Sequence, residues 1–287
     1  MDNKLPADTK IGTVSLTISD MERSLDFYQN GLGLKLLRHE DNVAHLGAGE
    51  AELLKLTAVP QARVVRGVTG LYHFALLLPN RVELAGALRH FMNRNVALQG
   101  FSDHLVSEAI YLADPDGNGI EVYRDRPRSE WPYDGDRLQM ATDPLDLRDL
   151  LAELSEDDGD WDGMPAGTTM GHIHLHVANI PQSEAFYRDV LGFDLMVRYG
   201  HAASFLAAGG YHHHVGINTW AGAGAPPPPA DAAGLRWFAV LLPSQDAVDA
   251  LLARLDAAAI PFQRRNGAIE VQDPSQNSVR LRAASRS

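Results

Sequence analysis

DMERSLDFYQNGLGLKLL (residues 20–37) and NIPQSEAFYRDVLGFDLM (residues 179–196) decide how this chain must be read. Aligned without a gap, they share Ser24/Ser183, Phe27/Phe186, Tyr28/Tyr187, Leu32/Leu191, Gly33/Gly192 and Leu36/Leu195, an offset of 159 residues (183 against 24). The same offset carries Asp114, Pro115 and Asn118 of DPDGNG onto Asp273, Pro274 and Asn277 of DPSQNS. Two related copies therefore make up the chain.

Each copy divides again. Val14–Ile18 alternates like a half-buried strand, and the apolar positions Met21, Leu25, Phe27, Tyr28 and Leu32 follow at helical spacing, ended by Gly31 and Gly33. Three short strand-like runs come next, Leu34–Arg38, Val43–Leu46 and Leu53–Thr57, parted by turn residues. The order strand, helix, three strands restarts at Leu71–Leu78 with a helix over Val82–Asn95, at His172–Val177, and at Leu235–Leu242 with a helix over Asp246–Ala259. The predicted architecture is α+β, built from four βαβββ modules. Residues 8–125 hold the N-terminal pair, 126–168 a connector rich in Asp, Glu, Pro and Gly with a short helical pattern at Leu145–Leu154, and 169–287 the C-terminal pair. AGAGAPPPPADAA (221–233) excludes helix or central strand and is read as a loop.

Composition narrows the chemistry. Among 287 residues there are twelve His and no Cys, so disulfide scaffolds, thiolate zinc sites, iron–sulfur clusters and a cysteine nucleophile are excluded. A metal site must use nitrogen and oxygen. With 25 basic against 37 acidic side chains, a net charge of −12 and no basic cluster, nucleic acid is not an expected partner. No run approaches the roughly 20 apolar residues that span a bilayer, and MDNKLPADTK (1–10) lacks a signal-peptide core, so no membrane partner is expected and the location expected is the cytoplasm.

His172, His174 and His176 alternate along one strand and so share a face, with Ile173, Leu175 and Val177 on the other. Seven of the twelve histidines fall within residues 172–214, including the run His212-His213-His214. Imidazole is the commonest metal ligand, which makes this a candidate metal or acid/base site. Taken singly, His73 in LYHFAL reads as well as a core histidine, and Glu121 in GIEVY as an exposed strand residue. Glu121 lies between Ile120 and Val122, where a buried carboxylate without a partner would be costly.

The stretch HLVSEAIYLADPDGNGIE (104–121) resembles the signature of extradiol ring-cleaving dioxygenases, in the vicinal oxygen chelate (glyoxalase/bleomycin resistance-like) superfamily. The match runs through His104, Ile110, Tyr111, Asp114, Pro115, Gly117 and Glu121, and departs at Ser102, where the family usually has Gly, Asn, Thr or an aliphatic residue. The resemblance implies modules closed into two open β-barrels and a catechol 2,3-dioxygenase-like activity on a small aromatic substrate and O2. It implies a metal held by His73, Glu121 and His172, with Fe(II) expected and Mn(II) as the alternative. Of the residues standing in the corresponding places, Thr13, Trp237 and Arg280 would complete no such site. His214 matches the family's acid/base histidine, Tyr111 its hydrogen-bonding tyrosine and His104 a histidine on the substrate side. The ligand set demands that modules two and three share a barrel, against the one-with-two pairing more common in these enzymes. Hydroquinone cleavage, a glyoxalase-like isomerase or lyase, and a non-catalytic ligand-binding resistance protein stay open as alternatives, as does a homo-oligomer.

Overall fold

The computed structural model describes residues 4–155, 161–265 and 267–284. The first module runs β1 (Lys10–Ile18), α1 (Met21–Asp26), β2 (Lys35–Glu40), β3 (Val43–Ala48) and β4 (Ala51–Ala58). The second contains β5 (Gly70–Leu77), α2 (Arg81–Asn93), β6 (Leu98–Asp103), β7 (Ser107–Ala113) and β8 (Gly119–Asp125). The connector contributes a two-stranded hairpin, β9 (Tyr133–Asp134) and β10 (Arg137–Leu138), and α3 (Leu147–Leu151), inside the helical pattern read at Leu145–Leu154. Its residues 156–160 lie outside the described ones. The third module is β11 (Thr169–His176), α4 (Ile180–Ala185), β12 (Asp194–Tyr199), β13 (Ala203–Ala207) and β14 (Val215–Asn218). The fourth is β15 (Gly234–Leu242), α5 (Gln245–Ala257), β16 (Phe262–Arg265), β17 (Ala268–Gln272) and β18 (Ser278–Ala283). Strand, helix and three strands thus recur four times.

Local chemistry starts the helices where the repeat places them. The Asp20 side chain accepts from the Arg23 N–H at 2.9 Å, and Asn179, at the equivalent position, accepts from Gln182 N–H at 2.9 Å. Each of these short helices passes into a π-helical turn, Phe27–Gly31 and Phe186–Leu191, and Gly192 then takes φ 95°, a left-handed end.

The modules assemble into two eight-stranded sheets, ordered β16-β17-β18-β15-β1-β4-β3-β2 and β12-β13-β14-β11-β5-β8-β7-β6. Modules one and four share the first, joined by antiparallel β1 and β15, and modules two and three share the second, joined by antiparallel β5 and β11. Each sheet curls into an open half-barrel. One continuous apolar core lies between them, taking Val14 and Leu16 from the first sheet, Phe74, Leu76, Ile173 and Leu175 from the second, and Leu84, Leu88 and Phe91 from α2. Complete burial of Phe74 and Phe91 makes each worth about 3–5 kcal/mol against Ala.

The residues shared by the two copies stitch the sheets together. Tyr28 O–H donates to Asp114 Oδ2 at 2.8 Å, and Tyr187 O–H donates to Asp273 Oδ2 at 3.0 Å. Each carboxylate also closes its own turn: Asp114 Oδ1 accepts from the N–H groups of Asp116 and Asn118, and Asp273 Oδ1 from those of Ser275 and Asn277. Modules one and two lie in different sheets, as do three and four, so the Asp-Pro-x-x-Asn turns tie module one to two and three to four across the core. That is a structural use of a motif whose other residues reach the site.

Candidate active site

Glu121 stands on β8, in register with Ala75 of β5, two residues along from His73. His172 stands on β11, also in register with Ala75. A central Ala75 thus sets the three long side chains around one point, on the face away from Phe74 and Ile173. Glu121 Oε2 lies 3.1 Å from His73 Nε2 and 3.2 Å from His172 Nε2. The three ligand atoms fall within 4.8 Å of one another, and all three side chains are buried. Gly119 makes room beside them: a Cβ there would sit 2.1 Å from the Tyr72 carbonyl oxygen and 3.1 Å from the His73 Cβ.

A buried polar nitrogen without a bond is costly, and this cluster contains two. His73 Nε2, although close to Glu121, is not aligned for a hydrogen bond, and His172 Nδ1 has no partner. Burial pushes His172 down to about 4, against the opposing pull of Glu121. Burial would raise the Glu121 carboxyl, but His172 and His73 outweigh it and hold it well below the usual carboxylate range. A neutral His172 beside an ionised carboxylate is the protonation state in which such groups take up a cation. The residues present therefore fit a divalent metal with nitrogen and oxygen preferences.

A cavity of about 380 Å³ opens in front of this cluster. His73 and Glu121 form part of its wall, together with Tyr111 and His104. His104 Nδ1 lies 2.6 Å from the Ala141 carbonyl, which can only accept, so the ring proton sits on Nδ1. His104 Nε2 then accepts the Tyr111 O–H at 2.7 Å. Burial, reinforced by the Glu121 charge, holds the Tyr111 phenol well above its usual range, so it stays protonated. Leu112, Met140, Val197 and Phe205 supply apolar wall, and Tyr72 and Trp220 pack edge to face at 5.1 Å. Trp220 is thus part of the cavity, whereas Trp237 lies in the other sheet, under the Arg280 guanidinium at 4.0 Å.

His214, expected as the acid/base group, sits apart from the metal-ligand cluster. It does not line the cavity and makes no ring contact with His73 or His172; its ring packs on Tyr211 (4.9 Å) and Phe193 (6.3 Å), and its Nδ1 accepts from Ala208 N–H at 3.1 Å. Its neighbour His213 lines the cavity and stacks on His172 with ring centroids 4.0 Å apart. The run 211–214 precedes β14 and follows Gly209 and Gly210, both with positive φ (60° and 67°), so strand alternation does not govern which ring faces inward. His174 also lines the cavity, with its ring 5.0 Å from that of His73 and a buried, unpartnered Nε2, while His176 turns to Asn218 Oδ1 at 2.7 Å. Sequence reading missed Asp125, which accepts from His212 Nε2 at 2.9 Å; nothing in its surroundings along the chain signals that contact.

The sequence pattern of the Glyoxalase/Bleomycin resistance protein/Dioxygenase superfamily matches residues 10–122 and again 169–281. The chain belongs to this superfamily. Within it, the chain is 47% identical over 272 residues to a Bacillus subtilis protein named catechol-2,3-dioxygenase, covering 93% of this chain and 94% of that one. A lactoylglutathione lyase of Escherichia coli O157:H7 is 28% identical over 120 residues, 39% of this chain and 89% of that protein. Among solved structures, a Bacillus subtilis protein superposes with a TM-score of 0.65 at 13% identity, covering 99% of this chain and 87% of that one. Glyoxalase I from Zea mays gives 0.58 at 15% identity, covering 96% of this chain and 92% of that one. These two show the superfamily fold alone. Among the described residues, no helix is long and apolar enough to cross a membrane.

Proposed function

We propose that the chain is an extradiol dioxygenase that opens a catechol-type ring beside its hydroxyls with O2, using Fe(II) held by His73, Glu121 and His172. The observation that carries this reading is the cluster itself: two buried imidazoles and one buried carboxylate converge within 4.8 Å at the wall of a cavity large enough for a small aromatic. The 47% identity to a protein named catechol-2,3-dioxygenase along nearly the whole chain supports the same reaction. When bound, the metal supplies the Lewis acidity and redox chemistry that bring catechol and dioxygen together.

The chain's own residues do the rest. Two imidazoles and a carboxylate on one side leave the other side of the site facing the cavity. Leu112, Phe205 and Val197 exclude water there and pack against a flat ring. Tyr111, kept protonated, offers a hydroxyl whose partner His104 is locked by Ala141 in the tautomer that accepts from it. His213, on His172, is placed to handle the substrate's hydroxyl proton, the task that resemblance assigned to His214. Protein loaded anaerobically with Fe(II) should consume O2 on addition of catechol and form a yellow product of the 2-hydroxymuconate-semialdehyde type. No oxygen uptake with any catechol or hydroquinone sinks the reading.

A further inference from the structure

Behind the cavity runs a chain of hydrogen bonds that ends on a side chain at its wall. Asp125 closes β8, the strand that carries Glu121. Its Oδ1 lies 2.9 Å from His212 Nε2, and His212 Nδ1 lies 2.8 Å from His213 Nδ1. The His212 ring is fully buried, stacked on Tyr211 at 4.1 Å and edge-on to Trp131 at 5.4 Å, so neither of its nitrogens can turn to water. His213 lines the cavity.

The direction of these bonds follows from donor and acceptor rules. An ionised carboxylate only accepts, so the proton between Asp125 and His212 belongs to His212 Nε2. A neutral His212 has a single proton, which Asp125 claims; its Nδ1 therefore presents a lone pair. Two ring nitrogens 2.8 Å apart need one proton between them, and it can come only from His213 Nδ1. That leaves His213 Nε2 with a lone pair, the one nitrogen of the ring not spent on His212. We infer that Asp125 and His212 are positioning residues that fix His213 in its Nδ1–H tautomer, so that an acceptor nitrogen and not a donor is offered to a substrate hydroxyl in the cavity. Orientation is set at the same time, because the His212 contact and the stack on His172 hold the ring from two sides. The relay joins residues 87 positions apart, Asp125 of module two and His212 of module three, and exists only because those modules share a sheet.

This inference rests on the proposed dioxygenase site for its use in turnover, and its first test is independent of turnover. The full-length chain, with histidines labelled in 15N and with and without diamagnetic Zn(II), is studied by NMR at neutral pH, the His213 and His212 signals being assigned by their loss in His213→Gln and His212→Gln. Expected is a protonated Nδ1 and bare Nε2 in His213, and the reverse in His212. A His213 carrying its proton on Nε2, or a doubly protonated His212, overturns the relay whatever the enzyme does. In Asp125→Ala the polarity is no longer imposed, and the His213 pattern should shift towards protonated Nε2. On the iron-loaded enzyme the same variant should lose kcat by roughly 10- to 100-fold, the range for removing a carboxylate that orients a histidine, with KM for catechol within about twofold. A fall in kcat with an unchanged nitrogen pattern would make Asp125 merely structural and overturn the proposal, as would an unchanged kcat. If no variant and no wild type oxidises any catechol while the tautomers are as expected, the dioxygenase reading fails and the relay stands.

Discussion

Glu121→Gln gives the sharpest test of the metal site. Glutamine keeps the shape of a side chain that is only 2% exposed and keeps an acceptor oxygen, but removes the one negative charge between His73 and His172. Among the described residues no further Asp, Glu, His or Cys joins these three, and no other carboxylate belongs to the group. Loss of even an outer-shell partner costs about 10- to 100-fold in metal affinity, and 100-fold is a lower bound to expect for a ligand. Metal at 100 times its Kd stabilises wild type by about 2.7 kcal/mol; a 100-fold weaker variant at that same concentration gains about 0.4 kcal/mol. For a chain of this size each kcal/mol moves Tm by about 2 °C, so wild type should rise by about 5 °C and the variant by less than about 1 °C. Anaerobic thermal melts with graded Fe(II) or Mn(II) read this without any substrate. An upshift of wild-type size in Glu121→Gln would remove the carboxylate from the site, and no upshift in wild type would remove the site.

Tyr111→Phe should keep its metal while kcat falls roughly tenfold or more, since the hydroxyl shared with His104 is lost; metal analysis beside oxygen uptake separates the two effects. His213→Phe should abolish most turnover, whereas His214→Phe should act mainly on stability, costing about 1–3 kcal/mol in urea titration because the Ala208 N–H loses its partner; the reverse ranking would restore His214 as the base. Glu108, 2% exposed and held by Arg81 at 2.8 Å, Arg124 at 2.7 Å and Arg126 at 3.2 Å, should cost about 3–5 kcal/mol when changed to Ala, chiefly because Arg124 is left buried without its counter-charge; a loss below 1 kcal/mol in denaturant would refute this. In metal-free protein, His172 and His214, depressed to about 4 and about 3, stay neutral in the fold while the unfolded chain takes up protons below about pH 6.5. Stability is thus fully present above pH 6.5 and lost as pH falls towards the folded values, by about 2 kcal/mol per histidine at pH 5; flat urea midpoints from pH 7 to 5 would contradict it.

What the chain spells out locally is what it determined alone. The alternation of His172 and His174 with Ile173 and Leu175 follows from the two-residue period of a strand, so one face had to be polar and the other core. The caps Asp20 and Asn179, and the shared Tyr and Asp-Pro turns, recur because each module solves the same local problem. Glu121 was legible through the spacing of a motif, and its grouping with His73 and His172 only through the family resemblance, since no local rule brings residues of β5, β8 and β11 together. Pairing across the midpoint did that: β5 lies against both β8 and β11, and long-range strand pairing is written in no short stretch of sequence. The histidine run shows the limit most clearly. Two glycines with positive φ break the strand period just before residues 211–214, so the ring that reaches the cavity is His213, while His214 packs on Tyr211 and Phe193. Which of two adjacent imidazoles faces the cavity was decided by that turn, and Asp125, a carboxylate 87 residues away along the chain, is set beside His212 only by the tertiary structure.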